Sequence, residues 1–207
     1  NKKMKEKIGI IDYGLGNIHS LKQACKHLGF ETYLIYNEVE LDKADKLILP
    51  GVGSYKTAVS NLKKIKLFEA LKKSISSGKP ILGICLGMQL LLDQSTEFGV
   101  TNGLGAIKGT TRNFNDINLR SPNIGWNNIK GVKKSIFSQE NDFEDEVYFV
   151  HSYYVIPENK NDILFTTKYK ELEYCAAINK NQIYGFQFHP EKSGEMGLNL
   201  LNKFLKL

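Results

Sequence analysis

The segment Gly83-Ile84-Cys85-Leu86-Gly87 constrains this chain more than any other. Before it, Lys79-Pro80-Ile81-Leu82 reads as a short buried strand. After it, Met88-Gln89-Leu90-Leu91-Leu92 reads as the start of a helix. A cysteine with glycine two positions to either side, set between a strand and a helix, is the thiol form of a nucleophile elbow. The glycines let the backbone turn sharply where space is short. The turn lifts the sulfur to the top of a sheet. It also sets the sulfur near the positive N-terminal end of the next helix, which favours thiolate.

A cysteine nucleophile needs a base, and the base needs an orienting partner. Phe186-Gln187-Phe188-His189-Pro190-Glu191 closes an alternating strand that begins at Gln182. Residues two apart on a strand face the same way. His189 and Glu191 are therefore expected to act together, with Pro190 interrupting strict strand geometry. A lone buried cysteine is ordinarily core packing. The elbow and the His-Pro-Glu segment together make Cys85, His189 and Glu191 the candidate catalytic residues.

The rest of the first half alternates strands with helices. Ile8 to Asp12, Thr32 to Tyr36 and Lys46 to Leu49 read as strands. Ile18 to Leu28, stopped by Gly29, reads as a helix, and Tyr55 to Ser76 reads as one long amphipathic helix. This order predicts an α/β fold with a mostly parallel central sheet flanked by helices. From Gly103 to Tyr184 the segments become short, aromatic and β-branched. Glu146 to Val150, Ile163 to Thr167 and Tyr174 to Ile178 read as strands of an added β-rich, partly antiparallel layer. Gly194 to Leu207 closes the chain as a helix with Leu198, Leu201, Phe204 and Leu205 on its apolar face. With no repeat or linker in view, 1–207 is expected to be a single domain.

Composition narrows the partners. Hydrophobic residues make up 42% of the 207 and charged residues 24%, as in soluble globular chains. The net charge of +6 comes from scattered lysines, paired only at places such as Lys63-Lys64, Lys72-Lys73 and Lys133-Lys134. Without interleaved aromatics these read as a solvated surface, not a nucleic-acid groove. Three cysteines cannot all pair, and Cys25 and Cys175 read as packing residues. No spacing suits a metal, and none is expected. Gly14-x-Gly16 lacks the third glycine of a dinucleotide fingerprint, His19 standing in its place, so no cofactor is expected. Asn1 to Lys7 lacks the apolar core of a leader, and Met4 is either the start or an internal methionine. No apolar run is long enough to span a membrane. A cytoplasmic location is expected.

The elbow with Met88-Gln89, the Pro50-Gly51-Val52-Gly53 loop and the His189-Pro190-Glu191 segment resemble the class I, triad-type glutamine amidotransferases. Further segments narrow the resemblance: Asp12-Tyr13-Gly14-Leu15-Gly16-Asn17, Asn123-Ile124-Gly125-Trp126-Asn127, His151-Ser152-Tyr153-Tyr154 and the run from Phe186 to Ser193. Together, and in the same order along nearly the whole chain, they are similar to the glutaminase subunits of imidazole glycerol phosphate synthases. The resemblance implies a flavodoxin-like fold and hydrolysis of L-glutamine to glutamate and ammonia. It also implies a heterodimer with a barrel-shaped, HisF-like cyclase subunit that consumes the ammonia in histidine biosynthesis.

The same resemblance assigns roles residue by residue. Cys85 is the nucleophile, His189 the base and Glu191 its orienting partner. Leu86, with Val52 or Gly53, supplies the oxyanion hole, a peptide in the glycine-flanked loop flipping to complete it. Gly51, Gln89, Ser152 and Tyr153 hold substrate. Asn17, Trp126, Tyr148 and Lys192 lie at the partner interface and ammonia exit. Read without the resemblance, Trp126 and Tyr148 are core aromatics, and Gln89 and Lys192 are surface residues. Asn123 departs from the family, where a histidine is common, and the Arg112 to Asn123 stretch is rich in Asn and Asp. Three alternatives remain at this point: the same glutaminase feeding a surface-sugar synthetase, a non-catalytic scaffold, and a stand-alone cysteine hydrolase.

Overall fold

The structure, a computed structural model, describes residues 6–138 and 144–207. The leader reading and Met4 fall largely on residues 1–5, outside the described residues. The first half runs β1 (Ile8–Ile11), α1 (Ile18–His27), β2 (Thr32–Ile35), α2 (Glu38–Asp42), β3 (Lys46–Leu49), α3 (Tyr55–Lys64), α4 (Leu67–Ser76), β4 (Ile81–Ile84) and α5 (Leu86–Leu90). The second half runs β5 (Leu92–Ser95), β6 (Thr101–Asn102), β7 (Ile107–Asn113), β8 (Asn123–Gly131), β9 (Glu144–His151), β10 (Tyr153–Pro157), β11 (Ile163–Tyr169), β12 (Leu172–Lys180), β13 (Ile183–Phe186) and α6 (Gly194–Leu205).

The architecture is α/β. The strand order β2-β1-β3-β4-β13 is parallel throughout, and it forms the centre of a larger mixed sheet. Strands here carry apolar residues on both faces because helices cover both. Leu47 and Leu49 of β3 pack with Tyr55, Leu62, Phe68 and Leu71 of α3 and α4. Ile48, between them, packs with Leu21 and Cys25 of α1 and with Leu201 and Phe204 of α6. On α6, Leu201, Phe204 and Leu205 are buried as expected, Leu198 only partly, and Leu200 joins them.

The antiparallel half is hydrogen-bonded into the same sheet. β12 pairs with β13 on one side and β11 on the other, and a single bridge from Cys175 to Val155 joins it to β10. β11, β8 and β9 form an antiparallel branch.

Two expected helices are corrected. The 55–76 helix is two, α3 and α4, broken where Lys66 adopts a left-handed φ of 62°. The core stripe of α3 is Tyr55, Ala58, Val59 and Leu62. Ile65, three residues on, still packs against this core, but position 66, four residues on, is a lysine. The break restarts the stripe one residue later, at Leu67, Phe68 and Leu71. The helix after the elbow ends at Leu90, so Leu92 belongs to β5 and pairs with Ile107 of β7. Among the described residues no helix is long and apolar enough to cross a membrane.

Candidate active site

Cys85 sits directly beyond β4 with φ 55° and ψ −113°, a conformation costly for any side chain. Its backbone N–H donates to the Phe186 carbonyl of β13 at 2.7 Å, so the elbow is tied to the strand that leads to His189. The flanking glycines are required by close approach. A Cβ on Gly87 would lie 1.8 Å from the Leu49 carbonyl oxygen, and one on Gly83 would lie 2.6 Å from that of Gly87. α5 can therefore pack down on the end of β3 only without side chains at both places.

β4 and β13 are parallel neighbours, with Ile84 in register with Phe186. Cys85 and His189 consequently emerge beyond the same edge of the sheet. Pro190–Lys192 is a short 3-10 turn, which folds Glu191 back so that its Oε1 lies 2.9 Å from His189 Nδ1. Both side chains are almost wholly buried. His189 Nε2 is buried too and has no hydrogen-bond partner among the described residues. Burial alone would lower the proton affinity of this ring. The nearby Cys85 and the Glu191 carboxylate outweigh burial and hold it well above the usual imidazole value. All three cysteines are buried, but only Cys85 lines the cleft at this edge of the sheet; burial pushes the thiols of Cys25 on α1 and Cys175 on β12 up to about 12.

A cleft of about 560 Å³ opens beside the sulfur. Val52, Gly53, Leu86, Gln89, Ser152 and Tyr153, all named from the sequence, line it with Cys85. Gly51 does not line the cleft. It is buried behind the loop, where a Cβ would meet the Tyr13 hydroxyl at 2.4 Å. That hydroxyl donates to the Pro50 carbonyl at 2.6 Å and pins the start of the loop. Gly53 has φ 96°, a conformation suited to glycine.

Gln89 is buried, not on a helix surface. Its Nε2 donates to the Tyr153 carbonyl at 2.9 Å and to Gln187 Oε1 at 3.2 Å. Trp126 is 52% exposed, which overturns the reading of it as a core aromatic. It faces Tyr148 across the β8–β9 pair, the rings 6.0 Å apart and edge-on. Tyr148 is half-buried and Lys192 is exposed. Backbone bonds join this corner to the site, His189 N–H donating to the Tyr148 carbonyl at 3.1 Å. The 190–192 turn packs against α1 and β9. Asn17 caps α1, accepting from Ser20 N–H at 3.3 Å.

Several residues of the site escaped the sequence reading. Glu97 brings a carboxylate to the cleft and accepts from the Tyr55 N–H at 3.0 Å. Nothing in Ser95-Thr96-Glu97 marks it in sequence. His151 lines the same cleft; its Nδ1 bonds the Tyr153 carbonyl at 2.7 Å and its Nε2 the Tyr174 hydroxyl at 3.0 Å. Gln187 is fully buried, and its Nε2 lies 3.7 Å from Cys85 Sγ. A polar residue within the apolar run of Phe186 and Phe188 was the available signal.

An elbow cysteine, a buried histidine–carboxylate pair and a cleft at the end of a parallel sheet describe a class of enzyme. The chain belongs to the class-I glutamine amidotransferase family, whose model it matches over residues 9–207. It is 47% identical over 202 residues to imidazole glycerol phosphate synthase subunit HisH 2 of Methanococcus maripaludis, covering 96% of this chain and 98% of that one. It is 43% identical to subunit HisH 1 of Campylobacter jejuni strain RM1221, covering 97% of this chain and all of the other. Within the family it therefore groups with the HisH subunits. The fold is shared more widely. The structure of PurLQS from Thermotoga maritima superposes with a TM-score of 0.77 at 19% identity, over 98% of this chain and 99% of that one.

Proposed function

We propose that this chain is a glutaminase that hydrolyses L-glutamine to glutamate and ammonia. In this reading the whole chain acts as one domain. It forms a heterodimer with a barrel-shaped cyclase that uses the ammonia to make imidazole glycerol phosphate in histidine biosynthesis, in the cytoplasm. The observation that carries the chemistry is an elbow cysteine beside a buried, carboxylate-paired histidine at the foot of a substrate-sized cleft.

His189 takes the Cys85 proton at Nε2, and the sulfur attacks the side-chain amide carbon of glutamine. The tetrahedral intermediate places its negative oxygen toward the N–H groups of Leu86 and of Val52 or Gly53. Each such donor is typically worth about 2.7–4 kcal/mol. His189 returns the proton to the amide nitrogen, the C–N bond breaks, and ammonia leaves a glutamyl thioester. Water gives a proton to His189 and attacks the thioester. The C–S bond breaks, glutamate departs and the thiol is restored. Glu191 accepts from Nδ1–H and stabilises the imidazolium at each stage.

The rest of the cleft suits an amino acid. The carboxylate of Glu97 complements an α-ammonium group, and backbone at Ser152 and Tyr153 offers hydrogen bonds. Gln89 gives both of its N–H groups to the protein, which leaves its oxygen for the ligand. Exposed Trp126 and Lys192, with half-buried Tyr148, suit the cyclase face, and Asn17 stands at the head of the adjoining helix. The similarity to HisH subunits over nearly the full chain favours the histidine pathway, and no observation favours a surface-sugar synthetase.

The test is ammonia release from glutamine, with and without the histidine-pathway cyclase. Wild-type chain should be slow alone and fast in the complex. Cys85→Ala should bind the cyclase and release none. Ammonia release at the wild-type rate by Cys85→Ala overturns the mechanism, and fast partner-independent turnover overturns the subunit role.

A further inference from the structure

Gln187 has no exposed surface and lies between two buried phenylalanines, Phe186 and Phe188. A carboxamide in such a place needs a partner at each end. Its Oε1 accepts from Gln89 Nε2 at 3.2 Å, and its own Nε2 lies 3.7 Å from Cys85 Sγ.

The orientation of both amides follows from what each neighbour can do. The Tyr153 carbonyl oxygen only accepts, so the NH2 end of Gln89 faces it. The second N–H of that group faces Gln187, which must answer with its oxygen. The NH2 end of Gln187 is thereby turned to the sulfur. The same carbonyl accepts from His151, which fixes the His151 proton on Nδ1. Nε2 is then an acceptor for the Tyr174 hydroxyl, and the Tyr174 oxygen accepts from Asn123 Nδ2 at 3.2 Å. A buried chain with one assignment of protons runs from Asn123 to the Cys85 sulfur.

Besides His189, the sulfur has two polar neighbours of opposite character. The Val150 carbonyl, 3.8 Å away, can only accept and so suits the thiol. The Gln187 N–H can donate, and a donor bonds an anion more strongly than a neutral acceptor. We infer that Gln187 stabilises the Cys85 thiolate by donating to Sγ, and that Gln89 positions it for this. The inference rests on reading Cys85 as the nucleophile.

Alkylation by iodoacetamide isolates the effect. The thiolate displaces iodide, forming the S–C bond as C–I breaks, and the rate follows the thiolate fraction. Burial raises the Cys25 and Cys175 thiols to about 12, so between pH 6 and 9 the adduct is expected on Cys85, and mass spectrometry locates it. The full-length chain is compared with Gln187→Met, Gln187→Glu and Gln89→Met between pH 6 and 9. At pH 7, Gln187→Met should react about three- to tenfold more slowly and recover to within about twofold at pH 9. Gln187→Glu, shaped alike but anionic, should be slower still. Gln89→Met should fall between wild type and Gln187→Met, and it carries the test if Gln187→Met does not fold. A pH profile unchanged from wild type, or one lowered by the same factor at every pH as a packing defect would give, overturns the inference. Failure of the nucleophile reading looks different: Cys85→Ala would still release ammonia, whatever the alkylation profiles show.

Discussion

His189 and Glu191, two positions apart in the chain, meet at 2.9 Å through Nδ1 and Oε1, both side chains removed from solvent. The bond fixes the proton of a neutral ring on Nδ1, because an ionised carboxylate only accepts. The basic lone pair is then on Nε2, the atom without another partner among the described residues. The turn at Pro190 achieves this by giving up strand geometry. A strand would have set the two side chains side by side, and the turn brings one against the other.

Glu191→Gln keeps the shape and an acceptor but removes the charge. An imidazolium would lose its counter-charge in a site where burial already disfavours it. We expect kcat for glutamine hydrolysis in the cyclase complex to fall about 10²- to 10⁴-fold, with KM changed little. Steady-state ammonia release measures both. A fall of less than about threefold would remove Glu191 from the mechanism.

The backbone at Cys85 gives a stability prediction that runs against function. Its φ of 55° and ψ of −113° suit glycine far better than a residue with a Cβ. Cys85→Ala keeps the strain, whereas Cys85→Gly relieves it. Cys85→Gly should therefore be more stable than Cys85→Ala by about 1 kcal/mol, after the entropy of the added glycine is set against the strain. Both should be inactive. Urea midpoints at neutral pH decide the order, and the reverse order would mean that the elbow is not strained.

The extent to which the sequence foretold this site follows a physical rule. Cys85, His189 and the central strands were legible because their signals are local: glycine spacing, apolar runs, an alternating strand. The break at Lys66 was hidden because no glycine or proline marks it, and it becomes intelligible only once the core stripe of α3 is known. The β8–β9 pair places Trp126 on the surface, although its residue type suggests a core. Glu97 and His151 reach the cleft through pairings of β5–β7 and β8–β9, long-range contacts that no short window contains. Gln187 stands shortly before His189 in the sequence, yet its partner sulfur lies 102 positions away.

His151 gives the pH dependence. Burial is the main reason that its ring is lowered to about 4; the bond to the Tyr153 carbonyl works the other way, and nearby His189 adds to the lowering. In the unfolded chain a histidine titrates near about 6.5. Between these values the unfolded chain binds a proton that the folded chain refuses. Acidification therefore favours unfolding: the contribution of neutral His151 is complete above about pH 6.5 and is lost as pH falls toward about 4. Between pH 7 and 5 it amounts to about 2 kcal/mol. Replacing the ring by Gln should lower stability at pH 7, because the Tyr153 carbonyl and Tyr174 hydroxyl lose a matched partner. It should also flatten the pH dependence by that amount. Urea unfolding of wild type and His151→Gln at the two pH values measures the difference of slopes, in which the other titrating groups cancel. Equal slopes would mean that the folded ring takes up its proton over the same pH range as the unfolded chain, with no lowering by burial. On protonation Nε2 would donate to the Tyr174 oxygen, which already accepts from Asn123 Nδ2.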